Sequence, residues 1–444
     1  MPSAGRRVVR ERRPEASTLS LSLVRPRPTR SAPRRHLRVA GLFAGIGGIE
    51  LGLHRAGHET TMLCEFDPSA RSVLAARFPE VRGHDDIRTL KALPNDVDLV
   101  AAGFPCQDLS QAGMTAGIDG ARSGLVGQVF RLLKSKRVPW VLLENVPFML
   151  QLAGGRALEV IIGGLERLGY NWAYRVVDSL AFGVPQRRER VFLVASLEHD
   201  PRQVLFADDD GAPQPTPPSP RLAFGFYWTE GTRGLGAAVD SVPTLKGGST
   251  IGIPSPPGVL LPGGGVVTPC LEDAERLQGF EPGWTEAAQY VGRRSNRWKL
   301  VGNAVTVEVA GWLGERLAAP GDYDASWDAP LPPRARWPLA AWGMGKDRFL
   351  ANVSTWPVRQ RRPHLHEFLV EPRLLSTRAT AGFWARLQSS SLRRPRWFDV
   401  AVVDHLRKME RAELSRQKRA LPETECNDEA TQGDGRVGEA VASG

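Results

Sequence analysis

The chain of 444 residues is long enough for two or three domains, and with 42% hydrophobic and 24% charged residues it has the composition of a globular protein. No apolar run approaches the roughly 20 residues that a membrane-spanning helix needs, so no membrane association is expected. Four scattered cysteines are too few for a disulfide framework or a zinc cluster. We therefore expect a cytoplasmic protein without a structural metal.

The net charge of +10 favours a polyanionic partner, but most of the excess lies in one segment. Residues 1–40 hold eleven Arg and two acidic residues, and the rest of the chain is nearly balanced. Residues 1–36 are rich in Arg, Pro and Ser and show no hydrophobic periodicity. We predict that they form a disordered basic arm.

Short apolar strands alternate with amphipathic helices from residue 37 to about 200, which predicts an α/β fold with a doubly wound, mostly parallel sheet. Ligands of such sheets bind at the carboxyl ends of the strands. The predicted strands are Leu37–Phe43, Thr60–Glu65, Leu99–Gly103, Trp140–Glu144, Tyr174–Asp178 and Val191–Ala195. The predicted helices are Gly48–Ala56, Pro68–Phe78, Val126–Lys136 and Gly154–Leu168, followed later by Leu271–Leu277 and Val305–Leu317.

The remaining segments differ in composition. Pro and Gly become dense after residue 200, which indicates a small, loop-rich lobe. Six of the twelve Trp lie within residues 321–410, so that segment is expected to pack, either as a cap on the core or as a DNA-contacting extension. The predicted divisions are 37–196 and 267–320 for the main domain, 197–266 for the lobe, 321–410 for a C-terminal extension and 411–444 for a disordered tail.

A glycine-rich turn, Gly45-Ile46-Gly47-Gly48, follows the first predicted strand and opens a helix. Glycine there permits a tight turn and close approach of a ligand to the backbone. Glu65 ends the next strand, where an acid takes the ribose hydroxyls of an adenosine cofactor. The Gly-Lys-Ser/Thr sequence of phosphate-binding loops is absent, which disfavours nucleoside triphosphate hydrolysis.

Two further strand ends carry reactive side chains. Cys106, in Gly103-Phe104-Pro105-Cys106-Gln107, is a candidate nucleophile on a rigid loop, although most free cysteines are small buried hydrophobes. Glu144 ends an apolar strand, and partial desolvation there should raise its pKa and suit it to donate a proton. The plainer alternative for Glu144 is a solvated acid in a turn.

The segment Gln186-Arg187-Arg188-Glu189-Arg190 precedes another strand. Alternation in an extended chain places Arg188 and Arg190 on one side, where two guanidinium groups can hold a phosphate or a base carbonyl. A solvated run of charges is the alternative.

These segments together resemble the DNA (cytosine-5) methyltransferase family in order and spacing. The matching segments are LFAGIGG at 42–48, Glu65, Asp86-Ile87, GFPCQDLS at 103–110, RSGL at 122–125, ENV at 144–146, QRRER at 186–190, RLQGF at 276–280 and GNAV at 302–305. The resemblance covers residues 37 to about 318. It implies a Rossmann-like fold that binds S-adenosylmethionine, with the loop-rich lobe as the target-recognition region.

The resemblance implies a catalytic role for four residues. Cys106 would add to C6 of a cytosine flipped out of duplex DNA, and Glu144 would protonate or hydrogen-bond N3. Arg190 would hold O2, while Arg188 would support the same pocket or a nearby phosphate. The family normally carries Asp or Ser at the position of Gly41. We therefore expect, at most, weaker cofactor binding.

The resemblance also implies binding residues. In the cofactor site, the turn would contact the methionine end, Glu65 the ribose, and Phe66, Asp86 and Ile87 the adenine. The full cofactor set is Phe43, Ala44, Gly45, Gly47, Gly48, Glu65, Phe66, Asp86, Ile87, Gly103, Pro105, Leu125, Asn303, Ala304 and Val305. The expected DNA contacts are Ser110, Gln186, Arg221, Arg233, Thr244 and Lys246.

A compact core with one small lobe suggests a bacterial enzyme that protects host DNA beside a restriction endonuclease, and the family resemblance suggests a monomer. Three other hypotheses stay open at this point. The same family includes tRNA cytosine-5 methyltransferases, to which the core is similar. An inactive DNA-binding protein would leave the catalytic residues without a purpose. A nicotinamide dehydrogenase would explain only the glycine turn and Glu65.

Overall fold

A computed structural model describes residues 34–104, 124–248, 254–292 and 295–420. Most of the predicted N-terminal arm and most of the predicted tail lie outside these ranges. So do three predicted site residues, Pro105, Cys106 and Ser110. No helix within the described ranges is long and apolar enough to cross a membrane.

The main domain is built on a ten-stranded sheet in which seven strands run in one direction. The first eight strands of the chain are β1 (Arg38–Leu42), β2 (Glu59–Cys64), β3 (Arg82–His84), β4 (Leu99–Gly103), β5 (Trp140–Asn145), β6 (Asn171–Asp178), β7 (Gln186–Arg187) and β8 (Glu189–Ser196). The sheet order begins β3-β2-β1-β4-β5, all parallel, and β8 then lies antiparallel between β5 and β6. All six predicted strands are present, with ends shifted by at most three residues, and the mostly parallel sheet is confirmed.

Helices cover both faces of this sheet, as a doubly wound fold requires. One apolar face packs on Val129 and Leu158, and the other packs on Leu53 and Leu313. The helices of the main domain are α1 (Gly48–Arg55), α2 (Pro68–Arg77), α3 (Leu125–Ser135), α4 (Arg156–Arg167), α5 (Arg202–Leu205), α6 (Leu271–Leu277), α7 (Asn296–Asn303) and α8 (Val307–Ala318). Six of them match the predicted helices to within two residues at each end, whereas α5 and α7 were not predicted.

A small lobe forms around a second, five-stranded sheet. Its strands are β9 (Phe224–Phe226), β10 (Ala237–Val239), β12 (Gly258–Leu260), β13 (Val266–Thr268) and β17 (Arg373–Leu374). A two-residue strand, β11 (Val242–Pro243), pairs in parallel with β7 and joins this lobe to the main domain. The lobe begins later than expected, because α5 packs its Val204 and Leu205 into the main domain.

The C-terminal segment divides between the two lobes and is not a separate extension. The strands β14 (Ala329–Pro330), β15 (Ala340–Met344) and β16 (Asp347–Leu350) lengthen the main sheet, with β15 antiparallel to β6. The later elements α9 (Leu365–Phe368), α10 (Thr377–Gln388) and α11 (Arg396–Ala420) complete the small lobe. There Phe383 and Phe398 pack on Phe226, with ring centroids 4.5 and 5.3 Å apart. Helix α11 continues to Ala420, beyond the tail boundary predicted at 411.

Arg175 on β6 links the C-terminal segment to the rest of the main domain. Its side chain is fully buried and donates to the carbonyl oxygens of Leu205, Asp208 and Ser354 at 2.7–2.9 Å. Its Nη2 also pairs with Asp209 Oδ1 at 2.6 Å. Because one guanidinium donates all of these hydrogen bonds, loss of the Arg175 side chain would remove them together.

Replacing Arg175 by Met should therefore lower the free energy of unfolding by about 3–5 kcal/mol, because three carbonyls and a carboxylate lose their partner. Urea denaturation of the full chain measures the effect. The matched control is Arg407→Ala, which removes an ion pair to Asp404 with both side chains more than 60% exposed and should cost less than about 1 kcal/mol. Equal effects of the two substitutions would contradict the structural role of Arg175.

Candidate active site

The glycine-rich turn between β1 and α1 is held by Glu65, a contact that was not predicted. Phe43, Gly45 and Gly47 all adopt positive φ, which turns the chain sharply. Glu65 Oε2 accepts the Gly45 N–H at 2.8 Å, and Glu65 Oε1 accepts the Asp67 N–H at 2.8 Å. A carboxylate has about four acceptor positions, so Glu65 keeps capacity for ligand hydroxyls.

Segments distant in sequence surround this turn. A Cβ on Gly48 would lie 2.6 Å from the carbonyl oxygen of Val305, so only glycine allows this approach. The Trp284 indole N–H donates to the Ile46 carbonyl at 2.9 Å, and Trp284 also stacks under Arg77. The sequence analysis missed Trp284, since nothing local links it to a turn more than 200 residues earlier.

The predicted adenine-binding residues fall into two groups. Phe66 is 65% exposed, and the Arg88 guanidinium lies 5.4 Å from its ring centroid. Arg88 also pairs with Asp86 at 2.8 Å, and this hydrogen bonding lowers the pKa of Asp86. Ile87, by contrast, is buried in the main core.

A buried acid–base pair lies at the ends of β5 and β8. Glu144 Oε1 is 3.2 Å from Arg190 Nε, with only 12% and 13% of the two side chains exposed. Burial raises the pKa of Glu144, against the smaller opposing effects of Arg190 and Arg188. This agrees with the rise expected for an acid at an apolar strand end.

The same pair lies beside the end of β4, the last described segment before Cys106. Gly103 is the register partner of Glu144, and a Cβ on Gly103 would be 3.3 Å from Glu144 Oε2. Asn145 Nδ2 donates to the Phe104 carbonyl at 2.9 Å. Phe104 is the last described residue before Cys106.

Arg188 is a structural residue of this site. Its guanidinium is 1% exposed and donates to the carbonyls of Leu245, Gly302 and Ala304 at 2.7–3.2 Å. The bonds join β8 to the small lobe and to the GNAV segment. The suggested phosphate contact of Arg188 is wrong, because DNA has no access to a side chain at this depth.

Gln186 is also buried, so its predicted contact with DNA is wrong. Its amide donates to the Leu277 carbonyl at 2.8 Å and accepts the Leu245 N–H at 3.0 Å. It also contacts Gln278 of the RLQGF segment, which accepts a hydrogen bond from Thr306 at 2.9 Å. Alternation along the strand predicts the direction of a side chain but not its depth.

The other predicted DNA contacts lie on the small lobe. Arg221 and Arg233 are exposed. Thr244 Oγ1 donates to the Arg187 carbonyl at 2.9 Å and so helps to attach the lobe. Lys246 pairs with Glu230 at 3.0 Å and lies 4.0 Å from the centre of the Tyr227 ring.

The remaining cofactor candidates have varied surroundings. The Ala44 N–H donates to the Cys64 carbonyl at 3.2 Å, and Leu125 begins α3. Asn303 is exposed at the end of α7, whereas the carbonyl of Ala304 is already bound to Arg188 and Gln278. Open space above Gly45, the acceptor capacity of Glu65 and the close approach of Val305 fit a nucleoside ligand.

Comparison with known proteins identifies the family. A family profile described as C-5 cytosine-specific DNA methylase matches residues 37–221. The Type II methyltransferase M2.BsuMI of Bacillus subtilis (strain 168) is 48% identical over 363 residues, which cover 79% of this chain and 93% of that protein. The chain belongs to the C-5 cytosine-specific DNA methylase family. It is a DNA cytosine-5 methyltransferase.

Other similar proteins share a smaller part of the chain. The Type II methyltransferase M.NgoBI of Neisseria gonorrhoeae is 37% identical over 163 residues, covering 36% of this chain and 50% of that protein. A crystal structure of S. pombe Dnmt2 methyltransferase aligns with 64% of this chain and 98% of its own, at 17% identity and a TM-score of 0.43.

Glu50 on α1 occupies the space that opens at Gly41 in this methyltransferase. A Cβ on Gly41 would overlap Glu50 Oε1, so the side chains expected at this position cannot coexist with Glu50 as placed. Glu50 is 1% exposed, and burial raises its pKa to about 7. At Gly41 only the loss of a side-chain contact was expected, and the acid that fills its place was not predicted.

This burial predicts a pH-dependent stability. Between pH 4.5 and about 7 the folded protein holds a proton on Glu50 that the unfolded chain releases. The free energy of unfolding should therefore fall as pH rises through this window, by on the order of 3 kcal/mol from this group. Urea denaturation at a series of pH values should give a flatter profile for Glu50→Gln than for the wild type. Parallel profiles would show that Glu50 does not titrate abnormally.

Proposed function

We propose that this methyltransferase transfers a methyl group from S-adenosylmethionine to C5 of a cytosine flipped out of duplex DNA, with Cys106 as the nucleophile. The observation that carries the assignment of residues is the buried Glu144–Arg190 pair, which lies beside the strand that leads to Cys106. Cytosine must leave the stack, because a side chain reaches C6 only outside the duplex.

The residues around the glycine turn would hold the cofactor. When bound, S-adenosylmethionine supplies an electrophilic methyl group on a sulfonium. Glu65 would accept the ribose hydroxyls, using acceptor positions left free by Gly45 and Asp67. Phe66 and Asp86 would contact the adenine, and the Arg88 guanidinium lies close to both of them.

Glu144 and Arg190 would activate the cytosine. Burial raises the pKa of Glu144, which favours its protonated form, and it would share that proton with N3. Arg190, which pairs with Glu144, would donate a hydrogen bond to O2 of the same cytosine. Together they draw electrons from the ring, so that the Cys106 thiolate adds to C6 and C5 becomes nucleophilic. Once C5 carries the transferred methyl group, loss of the C5 proton and departure of the Cys106 thiolate from C6 would restore the aromatic ring.

We further infer that the enzyme acts as a monomer in a restriction–modification pair. This inference is supported by the relative that shares most of its length with this chain, which is named a Type II methyltransferase. The exposed Arg221 and Arg233 are the proposed groove or phosphate contacts of the small lobe. Arginine recognises N7 and O6 of guanine in the major groove.

Replacing the proposed nucleophile or acid should abolish transfer of labelled methyl from S-adenosylmethionine to unmethylated plasmid DNA. We expect no transfer by Cys106→Ala and a loss of about 10²–10⁴ in rate for Glu144→Gln, which cannot supply the proton. The control is Glu189→Gln, an exposed neighbour whose side chain points away from the pair.

A second arm offers tRNA in place of DNA under the same conditions. Transfer to tRNA alone would contradict the proposed substrate, and undiminished transfer by Cys106→Ala would contradict the covalent route. Folding of each variant is checked by its unfolding midpoint, so that a lost activity is not a lost structure.

Host DNA should carry the modification if the enzyme belongs to a restriction–modification pair. We expect bisulfite sequencing of DNA from cells expressing the enzyme to show one short methylated sequence. That DNA should resist an endonuclease that cuts the same sequence in DNA from cells expressing Cys106→Ala. Methylation without a common sequence would argue against a Type II role.

A further inference from the structure

The end of β1 contains a buried carboxylate without a counter-ion. Glu50 lies in the first turn of α1, directly after the glycine turn, and faces Gly41 across the end of the strand. Its side chain is almost completely buried, and its Oε2 has no hydrogen-bond partner among the described residues. The charged group that acts on it is another carboxylate, Glu65, which raises its pKa further.

Such a charge is costly unless something compensates for it. The amino end of α1 compensates in part, because its free N–H groups favour an anion. Two other buried charges have ionic partners: Arg175 pairs with Asp209, and Arg297 pairs with Glu275. Asp178 lacks a cation within the described part of the chain, but it accepts two backbone N–H groups. Glu50 differs from these groups because the described residues give it no cation and give its Oε2 no hydrogen-bond partner.

A cation is supplied by the ligand that the proposed function places at this turn. The methionine end of S-adenosylmethionine carries a sulfonium and an ammonium group. Charges interact more strongly across a protein interior than across water, so Glu50 can act on them from beneath the turn. We propose that Glu50 is a positioning residue that selects the positive charge at the methionine end of the cofactor. This rests on the proposed function.

The geometry at Gly41 explains why this acid comes from α1. A side chain on β1 would fill the volume that Glu50 occupies, as the overlap with Glu50 Oε1 and the 3.1 Å approach to Leu63 Cδ2 show. Only glycine at 41 lets the helix supply the carboxylate. Gly41 is thus part of the same arrangement and not a defect in it.

The test compares three ligands in competition binding with Glu50→Gln. S-adenosylmethionine carries both positive charges, S-adenosylhomocysteine carries the ammonium alone, and 5′-methylthioadenosine keeps the nucleoside but lacks the amino acid. We expect about tenfold weaker binding of S-adenosylmethionine, the size of a lost interaction with a charged group, and unchanged binding of 5′-methylthioadenosine. Loss for S-adenosylhomocysteine as well assigns the effect to the ammonium, and its absence assigns the effect to the sulfonium.

Two variants make the test specific. Glu308→Gln is the control, since Glu308 is a partly buried glutamate on α8 whose pKa is raised by burial but which lies 3.8 Å from Arg55. It should leave all three affinities unchanged. Glu50→Asp keeps the charge one methylene further back and should weaken S-adenosylmethionine less than Glu50→Gln. If Glu50→Gln does not fold, Glu50→Asp carries the same comparison of ligands.

The outcomes separate this inference from the proposed function. Equal weakening of all three ligands, or of none, would overturn the role of Glu50 and leave the proposed cofactor standing. Failure of the wild-type protein to bind S-adenosylmethionine would overturn the proposed cofactor and this inference with it.

Discussion

The arrangement of the site depends on the three carbonyl oxygens that bind the guanidinium of Arg188. Those oxygens belong to Leu245 in the small lobe, to Gly302 in the last turn of α7 and to Ala304 just after that helix. A planar group with five donors fits this task, and lysine could not reproduce it. Arg190, which pairs with Glu144, is only two residues further along the chain, at the start of β8. The position of the reactive pair is therefore fixed by a neighbour that takes no part in the chemistry.

The interior around the start of β8 contains several buried polar side chains. Asp178 accepts the Arg188 N–H at 3.1 Å, and Gln186 and Gln278 join their amides beneath the lobe. Such networks are stable only when their members find partners, and then they fix one conformation. Here they fasten segments that are more than 90 residues apart in sequence.

The sequence predicted the parts of this structure that follow from local rules. The alternation of strands and helices, the glycine turn and the acid at the end of β2 are all recognisable from short segments. The burial of Gln186 and Arg188 could not be predicted in this way, because it depends on residues of the small lobe and of α7 that cover them. The role of Glu50 was not predicted for a similar reason, since it depends on the contact between Glu50 and Gly41 at the end of β1.

The C-terminal segment was the hardest to predict. The strand β15 pairs with β6 across more than 150 residues, and no local pattern announces such a pairing. The segment's many tryptophans indicated packing but not against what. Trp342 stacks on Phe349 within the added hairpin, whereas Trp397 packs beside Phe224 in the small lobe.

The small lobe is thus assembled from two stretches of chain, with α6, α7 and α8 of the main domain between them. Phe226 from the first stretch is enclosed by Phe383 and Phe398 from the second. His405 of α11 also accepts the Val266 N–H at 3.2 Å, in the middle of the lobe's own sheet. Moving residues 222–268 alone into a related enzyme would expose this apolar interior to water. Exchange of this lobe between relatives, in the laboratory or in evolution, has to carry both stretches at once.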